Sequence, residues 1–468
     1  MNNAVDGKIT TAADGIQTRL TDYACALSYH DLPPETVHAA KVRLIDTLGA
    51  LIAGFFAEPS RIARNVAALM PDPHGATIIG TRIKATTEMA AFANSTTARY
   101  IELTDSYHWP GSFGGHPSDV ITSLLSVAEH LHNSGRDFIA SVVLAYEVYL
   151  RINDIFKNMG FDQTNFCCLA TAVGTGKLLG LTPTQMSHCI SMAVVPNNAL
   201  RISRMGHLSM WKVAATGQAG RAGIFAALLA REGMEGPHLP FEGKAGWCDH
   251  VALERFSLPV MGGKGEPYKI GYTSIKLRPT NGLALSPTLA AEKLAPLKNF
   301  REVAHILVEV NRKAKDLVGT HAHHWSPDTK ETADHSAPYL VAATLFDGAI
   351  TAKSFNDAHL WNPDLRALMQ KIKVEENADF TQAYGRRPAE HRARVTITMN
   401  NGERLVGESG GGNDDLSTPK TDAQIVEKYR TLTEDVLGSR RVNATLERLW
   451  ALDNMTDVAA IPRDFVFA

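Results

Sequence analysis

The sequence has few cysteines and no pattern among them. Cys25, Cys167, Cys168, Cys189 and Cys248 are the full set, with no CxxC pair and no zinc-ligand spacing. Such an odd, unpatterned set reads as reduced thiols, which excludes a disulfide framework. An excess of charge of one sign is also missing. There are 47 Lys and Arg against 49 Asp and Glu, so the net charge is -2 and the pI about 6.8. That balance gives no basic surface for nucleic acid or for an anionic membrane. No run of about 18 apolar residues occurs, so no membrane span is expected. The opening MNNAVDGKITTAADG lacks a basic segment followed by an apolar one, so no signal peptide is expected, and a cytoplasmic location is.

What is present suits a globular enzyme. Hydrophobic residues make up 44% and charged residues 21%, an ordinary soluble composition. A chain of 468 residues is too long for one core, so two domains are expected. Apolar residues recur at the helical period over 16–57, 60–69, 86–100, 119–132, 137–158, 166–179 and 183–195, and again from 421 to 454. Residues 77–83 read as a short strand and 288–294 as a helix. Residues 302–311 alternate like a half-buried strand. Asn400-Asn401-Gly402 between 392–399 and 403–407 is a hairpin signal. The fold class predicted is mainly α. A large helical domain takes 1–272 together with 406–468, and a smaller α+β domain takes 273–405.

One stretch carries most of the chemistry, residues 94–119, NSTTARYIELTDSYHWPGSFGGHPSD. Glu102 and Asp105 are three apart, and Glu102 and Ser106 four apart, so a helix would place both pairs on one face. The glycines before His116 let the chain turn back, which would bring that imidazole to the acids. Histidine exchanges protons near neutral pH. Pro117-Ser118-Asp119 starts a helix, so His116 also lies at a positive helix end. Lys212 stands at the start of a small-residue-rich helix, where a cation opposes the helix dipole. Either a bound carboxylate compensates it, or it is a lysine reaching out from the edge of the core. His321-Ala322-His323-His324 has no partner spacing for a metal.

In series these segments resemble the MmgE/PrpD family, which includes 2-methylcitrate dehydratase, cis-aconitate decarboxylase and iminodisuccinate epimerase. The resemblance rests on AKVRLIDTLGALIAGF, the acid and hydroxyl pattern before HPSD, the lysine at 212, Ile275-Lys276 with Pro279, and Asp334-His335-Ser336-Ala337-Pro338-Tyr339. It implies a helical domain with a smaller α+β domain, a homodimer, no cofactor and a small polycarboxylate substrate; no metal is expected either, because the sequence has no ordered Cys or His ligand set. It further implies His116, Glu102, Asp105, Ser106, Lys212, Lys276 and Tyr339 as catalytic residues. Lys212 and Lys276 would also bind substrate, with Arg278, Ser118 and Gln163. The sequence departs from the family pattern at Glu102 and Thr104, where aspartates are usual, and at Ser106, where threonine is usual. Its 107–115 loop is longer. Gly160-Phe161 is followed by Asp162-Gln163-Thr164, without the histidine of decarboxylase-type members.

The chemistry so implied is proton removal beside a carboxylate, eased by fixed cations. His116 is the candidate acid, with a near-neutral pKa, and Glu102 or Asp105 the base or the group orienting it. A hydro-lyase of the 2-methylcitrate dehydratase kind is expected. A decarboxylase or epimerase of the same family is the alternative, and a non-catalytic helical scaffold the alternative outside enzymes.

Overall fold

Capping residues set the helix boundaries. A computed structural model describes residues 13–411, 416 and 418–467. Asp14 opens α1 (Gly15–Ala26) by accepting from the Gln17 N–H at 2.9 Å. Pro34 opens α2 (Pro34–Gly54), at a position where an N–H would have no helical partner. After α3 (Glu58–Ala67), β1 (Pro71–Thr77) and β2 (Lys84–Ala85) pair antiparallel. The strand expected at 77–83 is therefore the turn between two strands. Gly80 takes φ +98°, and the Thr81 hydroxyl bonds the Ile78 carbonyl, so the chain cannot stay extended there.

The rest of the first unit is α4 (Thr87–Arg99), α5 (Ile121–Leu131), α6 (Gly135–Ile155), α7 (Thr164–Leu178), α8 (Pro183–Val194) and α9 (Trp211–Arg231). Ser134 with Asp137, and Thr182 with Gln185, cap α6 and α8 reciprocally. Among the described helices α9 is the one long and apolar enough to cross a membrane, yet most of it is buried against α4 and α7. Its glycines permit that approach. A Cβ on Gly223 would lie 2.5 Å from the Cys168 carbonyl oxygen.

The second unit runs through α10 (Gly282–Glu292), β3 (Val303–Val310), α11 (Arg312–Val318), α12 (Lys330–Ala333), α13 (Ala337–Asp347), α14 (Asp357–Leu360), α15 (Pro363–Met369), β4 (Ile372–Glu376), α16 (Ala378–Tyr384), β5 (Ala393–Met399) and β6 (Arg404–Ser409). Helix α10 begins earlier than expected because Asn281 caps it, accepting from the Leu283 N–H. The sheet order is β4-β3-β5-β6, with β3 and β4 parallel and the other pairs antiparallel. Ile306, Val308 and Val310 face the core, as the alternation predicts. On the other face Arg394 pairs with Glu309 and Glu408. Helices α17 (Asp422–Leu437) and α18 (Ser439–Trp450) return to pack on α2.

There are two main cores. One joins Leu20, Ile45, Leu124 and Phe166 with Ile425 and Leu449 from the far end of the chain. The other joins Leu283, Ile306, Leu340 and Val395. The fold is thus mainly α, with a smaller α+β part. The divide expected at 405/406 lies within β6.

Candidate active site

Helix α4 ends at Arg99, and the chain does not continue as helix. Glu102 takes φ +55°, a left-handed conformation that costs a non-glycine residue about 1–3 kcal/mol. Glu102, Asp105 and Ser106 therefore do not share a helix face. An irregular loop carries them, folded so that Tyr107 and Gly115 bond each other's backbone at 2.8 and 3.3 Å. Gly115 has to be glycine, because a Cβ there would collide with the Tyr149 hydroxyl and Gln163. Ser106 also exchanges two 2.8 Å backbone bonds with Ser274, which ties this loop to the segment leading into the second unit.

The Glu102 carboxylate, 1% exposed, is the centre of the cluster. Arg99 grips it with both terminal nitrogens, at 2.7 and 3.1 Å. Lys276 Nζ lies 3.0 Å from one oxygen and Lys212 Nζ 3.2 Å from the other. Burial alone would raise the pKa of Glu102. Arg99, then Lys276 and Lys212, overcome burial and hold it well below the usual carboxylate range. Lys212 also bonds Asp334 at 2.9 Å and sits 3.2 Å from His335 Nδ1. Lys330 bonds the second Asp334 oxygen at 2.7 Å. Lys276 donates to the Thr280 carbonyl at 3.1 Å, and burial brings its pKa down to about 8.

His116 is held from both sides. Its Nδ1 lies 2.7 Å from the Asp105 carbonyl oxygen, which can only accept, so Nδ1 carries the proton. Its backbone N–H donates to Gln163 at 3.0 Å. Nε2 is left facing Glu102 at 3.5 Å. Burial, then Arg99, pushes the imidazole pKa well below its usual value. The ring is therefore neutral, with a lone pair on Nε2. This corrects the near-neutral acid that the sequence suggested. In the resting protein Nε2 of His116 carries no proton.

The remaining expected residues divide. Asp105 takes the Ser118 N–H at 3.0 Å and the Tyr146 hydroxyl at 2.9 Å, so it holds the histidine in place rather than facing the cations. Ser106 turns to His108 Nε2 at 2.7 Å. The Ser118 hydroxyl is buried and has no partner among the described residues. Gln163 braces the loop and donates to Asp119 at 3.2 Å. Arg278 is committed to Glu292, with bonds of 2.6 and 3.0 Å, and bonds none of the cluster. Tyr339 lies outside the site. It is buried in the second core against Phe355, and its hydroxyl donates to the Ser354 carbonyl.

Sequence reasoning missed Arg99, Asp119, Asp334 and His335 as members of the cluster. Asp119 accepts from Thr216 at 3.1 Å and lies 3.5 Å from Arg99, and burial raises its pKa to about 6. Asp334 and His335 stood in the segment that pointed to Tyr339. Two acids beside a lysine-bearing junction were the available signal. Among the described residues no group of His, Cys, Asp or Glu is arranged to hold a metal ion.

Two family models match the chain, the MmgE/PrpD N-terminal domain over residues 18–257 and the MmgE/PrpD C-terminal domain over 284–452. The chain is similar to the cis-aconitate decarboxylase of Aspergillus terreus, 24% identical over 97% of this chain and 96% of that one. It is also similar to the 2-methylcitrate dehydratase of Salmonella typhi, at 23% over 82% and 83%. A probable 2-methylcitrate dehydratase of Saccharomyces cerevisiae is 25% identical over 76% and 73%. Glu102 and Lys212 fall in the first match and Asp334 in the second, with Lys276 in the segment between them, and the chain belongs to the MmgE/PrpD family.

Proposed function

We propose that the protein is a cofactor-independent lyase of a small polycarboxylate, and within that class a hydro-lyase of the 2-methylcitrate dehydratase kind. One observation carries the reading. Arg99, Lys212 and Lys276 meet around one buried carboxylate, with the Nε2 lone pair of His116 3.5 Å away. Loss of a proton from the carbon beside a carboxylate builds negative charge on that carboxylate. Fixed cations in a water-poor junction stabilise this charge. His116 Nε2 takes the proton, and the C–H electron pair becomes the new C=C bond. The C–O bond breaks, and its hydroxyl leaves as water with a proton from Lys276. Glu102 then steadies the imidazolium formed beside it.

Decarboxylation is the second reading. The cis-aconitate decarboxylase of Aspergillus terreus matches 97% of this chain, more than the Salmonella dehydratase does. Against it, no histidine follows Gly160-Phe161, and Asp162 there is bound to Arg204 and Ser203. The test is a panel of 2-methylcitrate, citrate, cis-aconitate and iminodisuccinate, run with chelator present. Alkene absorbance rising with 2-methylcitrate, without carbon dioxide, is the expected result. Carbon dioxide from cis-aconitate would replace dehydration by decarboxylation. Deuterium exchange and altered optical rotation with iminodisuccinate would indicate an epimerase. Silence with all four would remove the reading, and so would activity lost to chelator and restored by one metal.

A further inference from the structure

A small cavity lies beside His335, and the proton transfers at His116 and Lys276 leave it unused. Its volume is about 70 Å³, room for one carboxylate group or a few waters. Both units line it. Arg204 and Leu208 come from the segment before α9, and His321, His323, His324 and His335 from the second unit. His335 connects it to the cluster, since its Nδ1 is 3.2 Å from Lys212 Nζ.

The lining is rich in donors. Asp162 takes Arg204 Nε, at 2.9 and 3.0 Å from its two oxygens. Arg204 Nη2 is buried and has no hydrogen-bond partner among the described residues. A buried guanidinium nitrogen without a partner is costly, and an anion is what satisfies it best. His324 accepts the Thr320 and His321 N–H groups on Nδ1, both at 3.2 Å, so the proton of its neutral ring sits on Nε2. His323 is half-buried and His321 exposed. The opposing charge in the lining is Asp316, which is exposed, so water screens it. Among the described residues these histidines belong to no group of His, Cys, Asp or Glu that could hold a metal ion. The chemistry favours an oxyanion.

We propose that this cavity takes a further carboxylate of the substrate, bound by Arg204 with His321 and His323 at its mouth. Lys212 and Lys276 meanwhile hold the carboxylate beside the reacting carbon. The inference rests on the polycarboxylate reading and deepens it. A ligand must carry a second carboxylate to use both positions, so the cavity selects polycarboxylates over monocarboxylates.

Two probes share a five-carbon chain, tricarballylate with three carboxylates and pentanoate with one. Their binding is followed by ligand-observed NMR and calorimetry with wild type, Arg204→Gln, the pair His321→Ala and His323→Ala, and Lys212→Ala. Removing a charge-assisted hydrogen bond from the cavity weakens tricarballylate about ten- to a hundredfold. Pentanoate affinity stays within about twofold in the cavity variants and falls in Lys212→Ala. Arg204→Gln also disturbs the Asp162 pair, so if it unfolds the histidine pair decides, being on an exposed turn. Equal weakening of both probes by the cavity variants overturns the assignment. Unchanged tricarballylate binding in those variants, with loss in Lys212→Ala, overturns the cavity alone. A wild type that binds neither probe overturns the polycarboxylate reading along with it.

Discussion

The carboxylate of Glu102 gathers three cations, and His116 is the group left able to accept a proton. Two predictions belong at this scale. His116→Asn keeps polarity and rough size but cannot move a proton, so kcat should fall about 10²–10⁴-fold with little change in melting temperature. Because burial and Arg99 depress its pKa, wild-type activity should hold as pH drops past the ordinary histidine value near 6.5 and fail only lower. A mutant with normal kcat and the same acid limb would falsify the assignment. Lys276 gives the opposite limb. With a pKa brought down to about 8, it loses its proton as pH rises through that value. kcat/KM should fall there, and Lys276→Arg should remove this alkaline limb even where activity is low. Folding stability moves the other way. Between about pH 8 and the ordinary lysine value of 10.5, the unfolded chain holds a proton that the folded one has released, so stability rises with pH. A rate profile flat past pH 9 in the wild type would end this role for Lys276.

At the scale of elements, α17 reaches back to the loop that carries Glu102. Lys428 on α17 is buried, forms an ion pair with Asp46 on α2, and donates to the Leu103 carbonyl at 2.7 Å. Leu103 follows the strained Glu102. Lys428→Met removes this anchor and leaves Asp46 buried and unpaired, at a cost of about 3–5 kcal/mol in urea unfolding. Adding Asp46→Leu to that variant should recover much of the stability but not the turnover, because the Leu103 carbonyl stays unheld. Recovery of both together would mean that the pair serves stability alone. The loop itself was only partly legible in the sequence. Its turn-back at Gly114 and Gly115 was visible, because glycine marks φ values other residues avoid. The end of α4 was visible too, read at 100 and found at Arg99, but the left-handed turn at Glu102 was not, because residues 100–106 carry no proline or glycine to mark it.

For the whole molecule, the cations come from segments far apart in the chain. A polycarboxylate that binds Lys212 and Lys276 together should therefore stabilise the junction of both units. At a hundred times its dissociation constant, tricarballylate should add about 2.7 kcal/mol and raise the melting temperature. The rise should vanish in Lys212→Ala and in Lys276→Ala. A shift of the same size in those variants would place the ligand elsewhere. Leu200, Ile202 and Met205 before α9, with Trp211 and Phe225 on it, are each more than half exposed. Large apolar side chains left in water mark interaction surfaces where they lie together, and we propose that these join two copies. Sedimentation at micromolar concentration should give a dimer, and Ile202→Asp with Phe225→Asp should give monomers. A wild type that sediments as a monomer at all concentrations would rule the patch out as a homodimer surface.

By itself the sequence determined the helical runs, the alternation of β3, the hairpin of β5 and β6, and the local settings of His116 and Lys212 at helix starts. Each is a local pattern, a period, a cap or a charge set against a helix dipole, and needs no knowledge of distant neighbours. Tertiary structure alone decided that Arg99 and Glu102 form the centre, that Asp334 and His335 rather than Tyr339 face it, and that Arg278 serves Glu292. Tyr339 and His335 stand four apart where α13 begins, and periodicity does not say which of them turns toward the junction. Packing of two cores across one seam does, because the ring of Tyr339 gains more from the second core than from a charged cluster. The protonation of His116 was decided in the same way, since burial and the nearness of Arg99 exist only once the chain has folded.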